Sequence, residues 1–163
     1  MRPGKRKRLD PDEAADPEKA RAEAIALLAR RDFASGELRQ RLEGRGFEAG
    51  AIAAAFAALT EEHALDDARF AQSYVTHHAG RGQGPVRIGA DLAALGLTPV
   101  DIDTALAAGP EWGALAREVR ARKFGAQAPA TWAEKGRQAR FLQYRGFSSD
   151  HIRLALGSDP GIE

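Results

Sequence analysis

The chain contains 163 residues and no cysteine, and its 44% of hydrophobic residues include many alanines but few aromatic side chains. Disulfides, thiolate metal sites and cysteine nucleophiles are therefore excluded, and abundant alanine with few strand-forming residues predicts an all-α fold. The formal net charge of +1 gives no bulk signature of a nucleic-acid binder. Because no apolar run approaches the roughly 20 residues of a membrane span, we expect a soluble, cytoplasmic protein.

The N-terminal segment carries charge but little that could be buried. A run of four basic residues at positions 5–8 is followed by several acidic ones, with almost no apolar side chains between them. Such a composition favours disorder, so residues 1–16 are predicted to form a disordered basic and acidic tail. A DNA-grasping arm is the less favoured interpretation of the same run.

A longer helix is predicted at the start of each of three helical segments. The first begins near Pro17 with Asp16 as its cap, the second follows Asp66 or Asp67, and the third begins near Trp112. Apolar residues at helical spacing mark the buried faces of these helices. These residues are Ile25 and Leu28 in the first helix, Phe70, Tyr74 and Val75 in the second, and Trp112, Leu115, Ala116 and Val119 in the third.

An apolar pattern recurs along the chain at a spacing of 50 residues. Its copies read Leu38-x3-Leu42-x3-Gly46-Phe47-x4-Ile52-x3-Phe56, then Ile88-x3-Leu92-x3-Gly96-Leu97-x4-Ile102-x3-Leu106, then Leu142-x3-Gly146-Phe147-x4-Ile152-x3-Leu156. The third copy has Gln138 at its first apolar position, where Phe141 is expected to substitute. Self-similarity at a fixed period is the signature of a repeat architecture.

The glycine of each copy predicts the end of a helix. Glycine adopts the left-handed conformation without steric cost, and the apolar residue that follows it packs back onto the last leucine, as in a Schellman motif. A second short helix then follows. The sequence therefore predicts three tandem three-helix repeats, at residues 17–64, 65–109 and 110–158, in an elongated, curved array with a C-terminal tail at 159–163.

No pattern of catalytic or metal-binding residues is present. The histidines, including the adjacent His77 and His78, lack a metal-ligand spacing, and Asp66 with Asp67 is explained as a helix cap. The glycine-rich segment at residues 80–85 lacks the Lys-Ser/Thr of a phosphate-binding loop. No serine, histidine and carboxylate have a spacing that suggests a catalytic triad. We therefore expect no enzymatic activity and no cofactor.

Basic residues concentrate in the third repeat, where they alternate with aromatic ones. Lysine and arginine can neutralise phosphates, and aromatic rings can stack on exposed bases. Helix ends and solvated faces are the alternative explanation for the same cations. We predict that five residues contact a partner or DNA: Arg87, Lys123, Lys135, Arg140 and Arg145.

Three groups of motifs carry a resemblance to a known family. They are Leu28-Ala-Arg-Arg-Asp-Phe-x3-Glu37-Leu38-x3-Leu42; Leu65-Asp-Asp-x-Arg69-Phe70 followed by Gly84-Pro85-x-Arg87-Ile88; and Lys135-x4-Arg140-Phe141-Leu142-x-Tyr144-Arg145-Gly146-Phe147. In this order, over about residues 20–156, they resemble the signatures of the RecX regulators. The sequence departs from them at Ala34, where these proteins often have a capping serine, and at Gly136 and Gln138.

The resemblance implies a monomeric negative regulator of the recombinase RecA. Such a protein binds the groove of a RecA filament on single-stranded DNA and inhibits filament extension, strand exchange, ATP hydrolysis and co-protease activity. It would thereby modulate DNA repair and the SOS response. A stand-alone DNA-binding helical repeat protein and a helical protein–protein scaffold stay as alternatives, and a hydrolase is the remotest one.

Overall fold

The computed structural model describes residues 7–157, and within this range all regular secondary structure is α-helical. The all-α prediction is confirmed. The helices are α1 (Pro11–Ala14), α2 (Pro17–Leu28), α3 (Ser35–Gly44), α4 (Ala49–Glu61), α5 (Asp67–Gly80), α6 (Pro85–Ala94), α7 (Pro99–Ala107), α8 (Trp112–Phe124), α9 (Trp132–Tyr144) and α10 (Ser149–Leu156).

The short helix α1 lies inside the predicted N-terminal tail. Asp10 caps it, the carbonyl of buried Ala14 accepts a 2.8 Å hydrogen bond from the Glu48 amide, and Leu9 packs against the core of the first unit. The prediction of disorder up to residue 16 is therefore wrong for this part, because two apolar side chains and a capped turn suffice to hold it. Residues 1–6 and the predicted tail at 159–163 lie outside the described residues.

Glycine ends the helix at each predicted stop. The φ angles are 100° at Gly46, 88° at Gly96 and 94° at Gly146. In the first stop the Phe47 amide donates to the Leu42 carbonyl at 3.2 Å, and in the third the Phe147 amide donates to the Leu142 carbonyl at 3.1 Å. Both are the six-to-one bonds of a Schellman motif, and each phenylalanine is buried in the same apolar cluster as its leucine.

The first compact unit comprises the described residues up to Phe70 together with Leu95–Leu97. Helices α2, α3 and α4 enclose its core. On α2 the buried face consists of Ala20, Ala24 and Leu27, whereas Ile25 is 43% exposed. The predicted inner position of Ile25 is therefore wrong. Small alanine side chains on this face let α2 pack closely against α4, and Leu27 is buried there in place of Ile25.

Asp67 supplies the helix cap that alanine at position 34 cannot provide. Helix α3 has no side-chain cap from Ala34, but the Asp67 carboxylate accepts hydrogen bonds from the Ser35 amide at 2.7 Å and from the Ser35 hydroxyl at 2.5 Å. Asp66 accepts from the Arg69 amide at 3.0 Å and so caps α5. The two adjacent carboxylates therefore serve two different helices.

The second compact unit comprises residues 71–94 and 98–157. In this unit α6 begins directly on the third stop. The Gly84 amide donates to the Arg145 carbonyl at 2.8 Å, and the Val86 amide donates to the Gly146 carbonyl at 2.9 Å. Two N-terminal amides of α6, which have no partner within their own helix, are satisfied in this way.

Gln138 is buried although it is polar, because it is paired with a buried arginine. Its side-chain oxygen accepts a 3.3 Å hydrogen bond from Arg120, which also donates to the Gln127 carbonyl at 3.1 Å. Phe141, the expected substitute, packs against the apolar cluster that contains Leu142 and Phe147. Arg120 thus fixes the long link between α8 and α9. It also supplies the hydrogen-bond partner that the buried side chain of Gln138 requires.

Candidate partner-binding surface

Helices α8 and α9 position most of the predicted contact residues, and each begins with a side-chain cap. Glu111 accepts hydrogen bonds from the amides of Gly113 at 3.1 Å and Ala114 at 2.7 Å. These two bonds, first that of Ala114, lower the pKa of the Glu111 carboxyl below its ordinary value. Thr131 caps α9 by accepting from the Glu134 amide at 3.2 Å. Both helices therefore have fixed N-termini.

A pair of aromatic rings supports three cations. Phe124 and Phe141 meet edge to face with centroids 5.3 Å apart. The cationic groups of Arg137, Lys123 and Arg145 lie over these rings, at 5.4 Å from the Phe124 centroid for Arg137 and at 5.9 Å and 5.4 Å from the Phe141 centroid for the other two. Distances below about 6 Å are those of cation–π contacts. The sequence spreads these cations over two helices, and the structure brings them together.

Arg87 and Arg81 join this group where α6 begins on the third stop. The guanidinium of Arg145 donates to the Arg81 carbonyl at 3.4 Å. A Cβ placed on Gly146 would lie 2.3 Å from the Cβ of Arg87, so the two backbones are in close contact there. Sequence reasoning missed Arg81. Its only signal was its place in the segment that leads into α6.

Tyr144 and Arg140 extend the same side of α9. Seven residues separate Tyr144 from Arg137, which places them about 20° apart around a helix, and Arg140 lies about 60° from Arg137. The Tyr144 ring is 81% exposed. We call the surface formed by Arg81, Arg87, Lys123, Arg137, Arg140, Tyr144 and Arg145 the cationic face.

Lys135 lies on a different side of α9. Its ammonium group is 5.8 Å from the centroid of the Trp132 ring, and it lies about 140° around the helix from Arg140. The structure therefore brings together four of the five predicted contact residues and separates Lys135 from them.

Within residues 7–157, ion pairs do not neutralise the charge of the cationic face. Among residues 7–157, none of its five arginines and its one lysine forms an ion pair. By contrast Arg45, the equivalent of Arg145 at the 50-residue spacing, is paired with Glu23. Unpaired cations on a surface attract polyanions and acidic protein surfaces.

The described residues hold no constellation for metal chemistry and no membrane helix. No group of three or more histidines and carboxylates is placed to hold a metal ion in residues 7–157. In the same range, no helix combines the length and the apolar content needed to cross a bilayer.

Three consecutive segments of the chain match family models of three-helix domains. Residues 20–59 match the first three-helix domain of RecX, residues 66–106 the second and residues 113–156 the third. The matched segments lie within the three predicted repeats and follow them in order.

Full-length relatives agree with these matches. The chain is 45% identical over 142 residues to the regulatory protein RecX of Halorhodospira halophila (strain DSM 244 / SL1), covering 86% of this chain and 88% of that protein. The chain belongs to the RecX family. The regulatory protein RecX of Pseudomonas fluorescens is 43% identical over 141 residues, which cover 85% of this chain and 91% of that protein. The regulatory protein RecX of Vibrio vulnificus (strain CMCP6) is 39% identical over 137 residues, which cover 83% of this chain and 90% of that protein.

Solved RecX structures share the fold. The crystal structure of RecX from Lactobacillus salivarius superposes with a TM-score of 0.73 at 20% identity, covering 86% of this chain and 94% of that one. A second crystal structure of a regulatory protein RecX gives a TM-score of 0.72 at 22% identity, covering 85% of this chain and 70% of that one. The prediction of three three-helix repeats of the RecX type is therefore confirmed.

Proposed function

We propose that this RecX-family protein is a negative regulator of RecA that binds the groove of the RecA filament on single-stranded DNA. There it inhibits filament extension, strand exchange, ATP hydrolysis and co-protease activity. The observation that carries the proposal is the cationic face, whose cations form no ion pair within residues 7–157 and which includes the exposed ring of Tyr144. Membership of a family of regulatory proteins supports it.

The cationic face suits a filament groove because it offers two kinds of contact. Lysine and arginine side chains meet phosphates or acidic protein surfaces, and Tyr144 offers a platform for a base. Three similar repeats in series offer further contacts along a filament of identical subunits, and several linked contacts raise affinity without a deep pocket. Inhibition then follows from occupation of the groove and needs no catalytic chemistry from this chain, which acts as a monomer in the cytoplasm.

Within this proposal the predicted contact residues have separate tasks. Arg87, Lys123, Arg140 and Arg145 contribute to filament binding through the cationic face. Lys135 lies too far around α9 to share a flat contact with Arg140, so it contributes to a different part of the surface.

The proposal is tested by titrating the protein into a reaction of RecA, single-stranded DNA and ATP while ATP hydrolysis is followed. We expect hydrolysis to fall at substoichiometric protein. The double variant Lys123→Glu/Arg140→Glu should inhibit at least about tenfold less well, since two phosphate or carboxylate contacts are reversed. Arg30→Glu, an exposed cation of the first unit, is the matched control and should inhibit like the wild type. Unchanged hydrolysis with wild-type protein contradicts the proposal.

Direct binding to DNA is the second candidate function, which the exposed Tyr144 among cations also supports. A stand-alone DNA-binding protein would bind naked single-stranded DNA tightly, with an affinity that falls steeply as salt is raised. It would leave RecA without DNA untouched. Comparing the salt dependence of binding to naked DNA and to RecA–DNA filaments separates the two candidates.

A further inference from the structure

The link between α8 and α9 contains no aromatic or branched aliphatic side chain that could hold it in place. Residues 125–131 read Gly-Ala-Gln-Ala-Pro-Ala-Thr, and only Pro129 among them is buried. In the first unit, the link between α2 and α3 instead buries Phe33 and Ala34. Because hydrophobic stabilisation scales with the apolar area that is buried, the link between α8 and α9 needs a different means of attachment.

Arg120, which is 6% exposed, attaches the link through hydrogen bonds. Its Nη1 donates to the Gln127 carbonyl at 3.1 Å and to the side-chain oxygen of Gln138 at 3.3 Å. Its Nη2 donates to the Ala126 carbonyl at 3.4 Å. The planar guanidinium presents its donors in fixed directions, so one side chain of α8 joins the backbone of the link to α9. We call Arg120 and Gln138 the buried pair.

Stability alone does not account for the buried pair. Among residues 7–157, no carboxylate pairs with Arg120, and its buried Nε has no hydrogen-bond partner. Burial of a charge costs free energy, and apolar residues in place of buried charged ones are often neutral or stabilising. The first two repeats have such residues, the fully buried Leu38 and Ile88, at the position of Gln138.

The link follows directly on the last turn of α8, which carries Lys123 and Phe124. These two residues are three and four positions beyond Arg120, so all three share one side of the helix. The turn ends at Gly125, whose amide donates to the Ala121 carbonyl at 2.8 Å. Helix ends fray, and attachment of the link immediately beyond Gly125 opposes fraying of this turn.

The last turn of α8 is also where the cationic face is assembled. Phe124 meets Phe141 of α9 at 5.3 Å between ring centroids, and the guanidinium of Arg137 lies 5.4 Å from the Phe124 centroid. The ammonium group of Lys123 lies 5.9 Å from the Phe141 centroid. Gln138 follows Arg137 directly in α9, so the buried pair connects the two helices beside these contacts. Unfolding of the last turn of α8 would separate Lys123 and Phe124 from the cations of α9.

We propose that the buried pair is a positioning element of the cationic face. By joining residues 126–127 to α9, it keeps the last turn of α8 folded and holds Lys123 and Phe124 against α9. Both members of the pair are buried, so they act through these neighbours and do not touch the partner. The consequence for filament binding rests on the proposed function, whereas the effect on the last turn of α8 does not.

Three variants of the full chain, each with one positive charge fewer in total, test the proposal. Arg120→Met/Gln138→Leu replaces the buried pair with an apolar contact and leaves no buried polar side chain without a partner. The carbonyls of residues 126–127 belong to exposed residues and can bind water instead. Gln138→Glu keeps an accepting oxygen for Arg120. Arg122→Met, the matched control, removes an exposed cation of α8 that is paired with Glu118.

Hydrogen–deuterium exchange measures the effect on the last turn of α8 without any partner. We expect the backbone amides of residues 121–131 to exchange at least about tenfold faster in the double variant, as for the loss of hydrogen bonds to a charged group. The same amides should exchange like the wild type in Gln138→Glu and Arg122→Met. Amides of α4, in the first unit, are the internal reference. Unchanged exchange of residues 121–131 in the double variant overturns the proposal.

Filament affinity and the midpoint of urea denaturation are then measured on the same variants. We expect the double variant to keep a midpoint at or above that of the wild type. Its binding to RecA filaments on single-stranded DNA should be at least about tenfold weaker, as when charged contacts are lost. Gln138→Glu and Arg122→Met should bind like the wild type.

The remaining outcomes separate positioning from other roles of the buried pair. A midpoint that falls together with filament affinity assigns the pair a purely structural role and overturns the proposal. Wild-type affinity in the double variant overturns it as well, and so does an equal loss of affinity in Arg122→Met, which would reduce the effect to the lost charge. If the wild type does not bind filaments, the proposed function fails, and the exchange of residues 121–131 alone decides whether the pair holds the last turn of α8.

Discussion

The contact between α6 and the third stop can be measured by adding one methyl group. In Gly146→Ala the new Cβ meets the Cβ of Arg87 at 2.3 Å and its backbone nitrogen at 2.8 Å. Gly46→Ala is the matched control, because Gly46 has a similar φ of 100° in the same motif, but a Cβ there meets only the Leu9 side chain, at 3.8 Å. Both variants therefore lose stability because alanine adopts a left-handed backbone conformation. Only Gly146→Ala adds a steric collision with Arg87.

Alanine in the left-handed conformation costs roughly 1–2 kcal/mol, which is the whole loss of stability expected for Gly46→Ala. Overpacking that displaces backbone costs typically about 1–3 kcal/mol more, so Gly146→Ala should lose that additional amount. Urea denaturation followed by far-UV circular dichroism measures both free energies of unfolding. Equal losses in the two variants would refute the backbone contact at Gly146.

Three further changes test other parts of the structure. Leu142→Ala removes a fully buried side chain and should cost about 2–5 kcal/mol in urea denaturation, whereas Leu154→Ala, at a half-exposed position, should stay within about 0.5 kcal/mol of wild type. Asp67→Ala removes both hydrogen bonds to Ser35 and should cost about 1–2 kcal/mol, as for a lost helix cap; Asp67→Asn, which keeps an acceptor, should cost less. Because the Ala114 and Gly113 amides depress the pKa of Glu111, its carboxylate contributes stability above the ordinary value of 4.5 that is lost as the pH falls through the lowered pKa. The denaturation midpoints of wild type and Glu111→Gln should therefore converge in acid, and a constant difference at all pH values would contradict this cause.

The repeat was visible in the sequence because its signals are local. A glycine that must adopt positive φ and an apolar residue after it define each stop, and the spacing of 50 residues exposes the copies. Helix α1 was missed because a four-residue helix has too few residues to show a period. Ile25 was misplaced because alanine gives a weak signal for burial, although Ala20 and Ala24 are fully buried.

The candidate site was predictable in its residue types but not in its geometry. A count of cations and aromatic residues in the third repeat pointed to Lys123, Arg140 and Arg145. Lys135 is separated from these three residues by its angular position around α9. Residue composition alone does not show this separation. The contribution of Arg81 depends on a contact with Arg145, 64 positions along the chain, and no local pattern encodes such a contact.

The most direct test of the proposed function is a binding measurement with fluorescently labelled protein. Its anisotropy is followed against RecA filaments on single-stranded DNA, against the same DNA without RecA, and against RecA without DNA, each at low and moderate salt. We predict saturable binding to the filament at concentrations where neither component alone is bound, weakened by Lys123→Glu/Arg140→Glu and unaffected by Arg30→Glu. Binding to naked DNA as tight as to the filament, or no binding to the filament, would contradict the account.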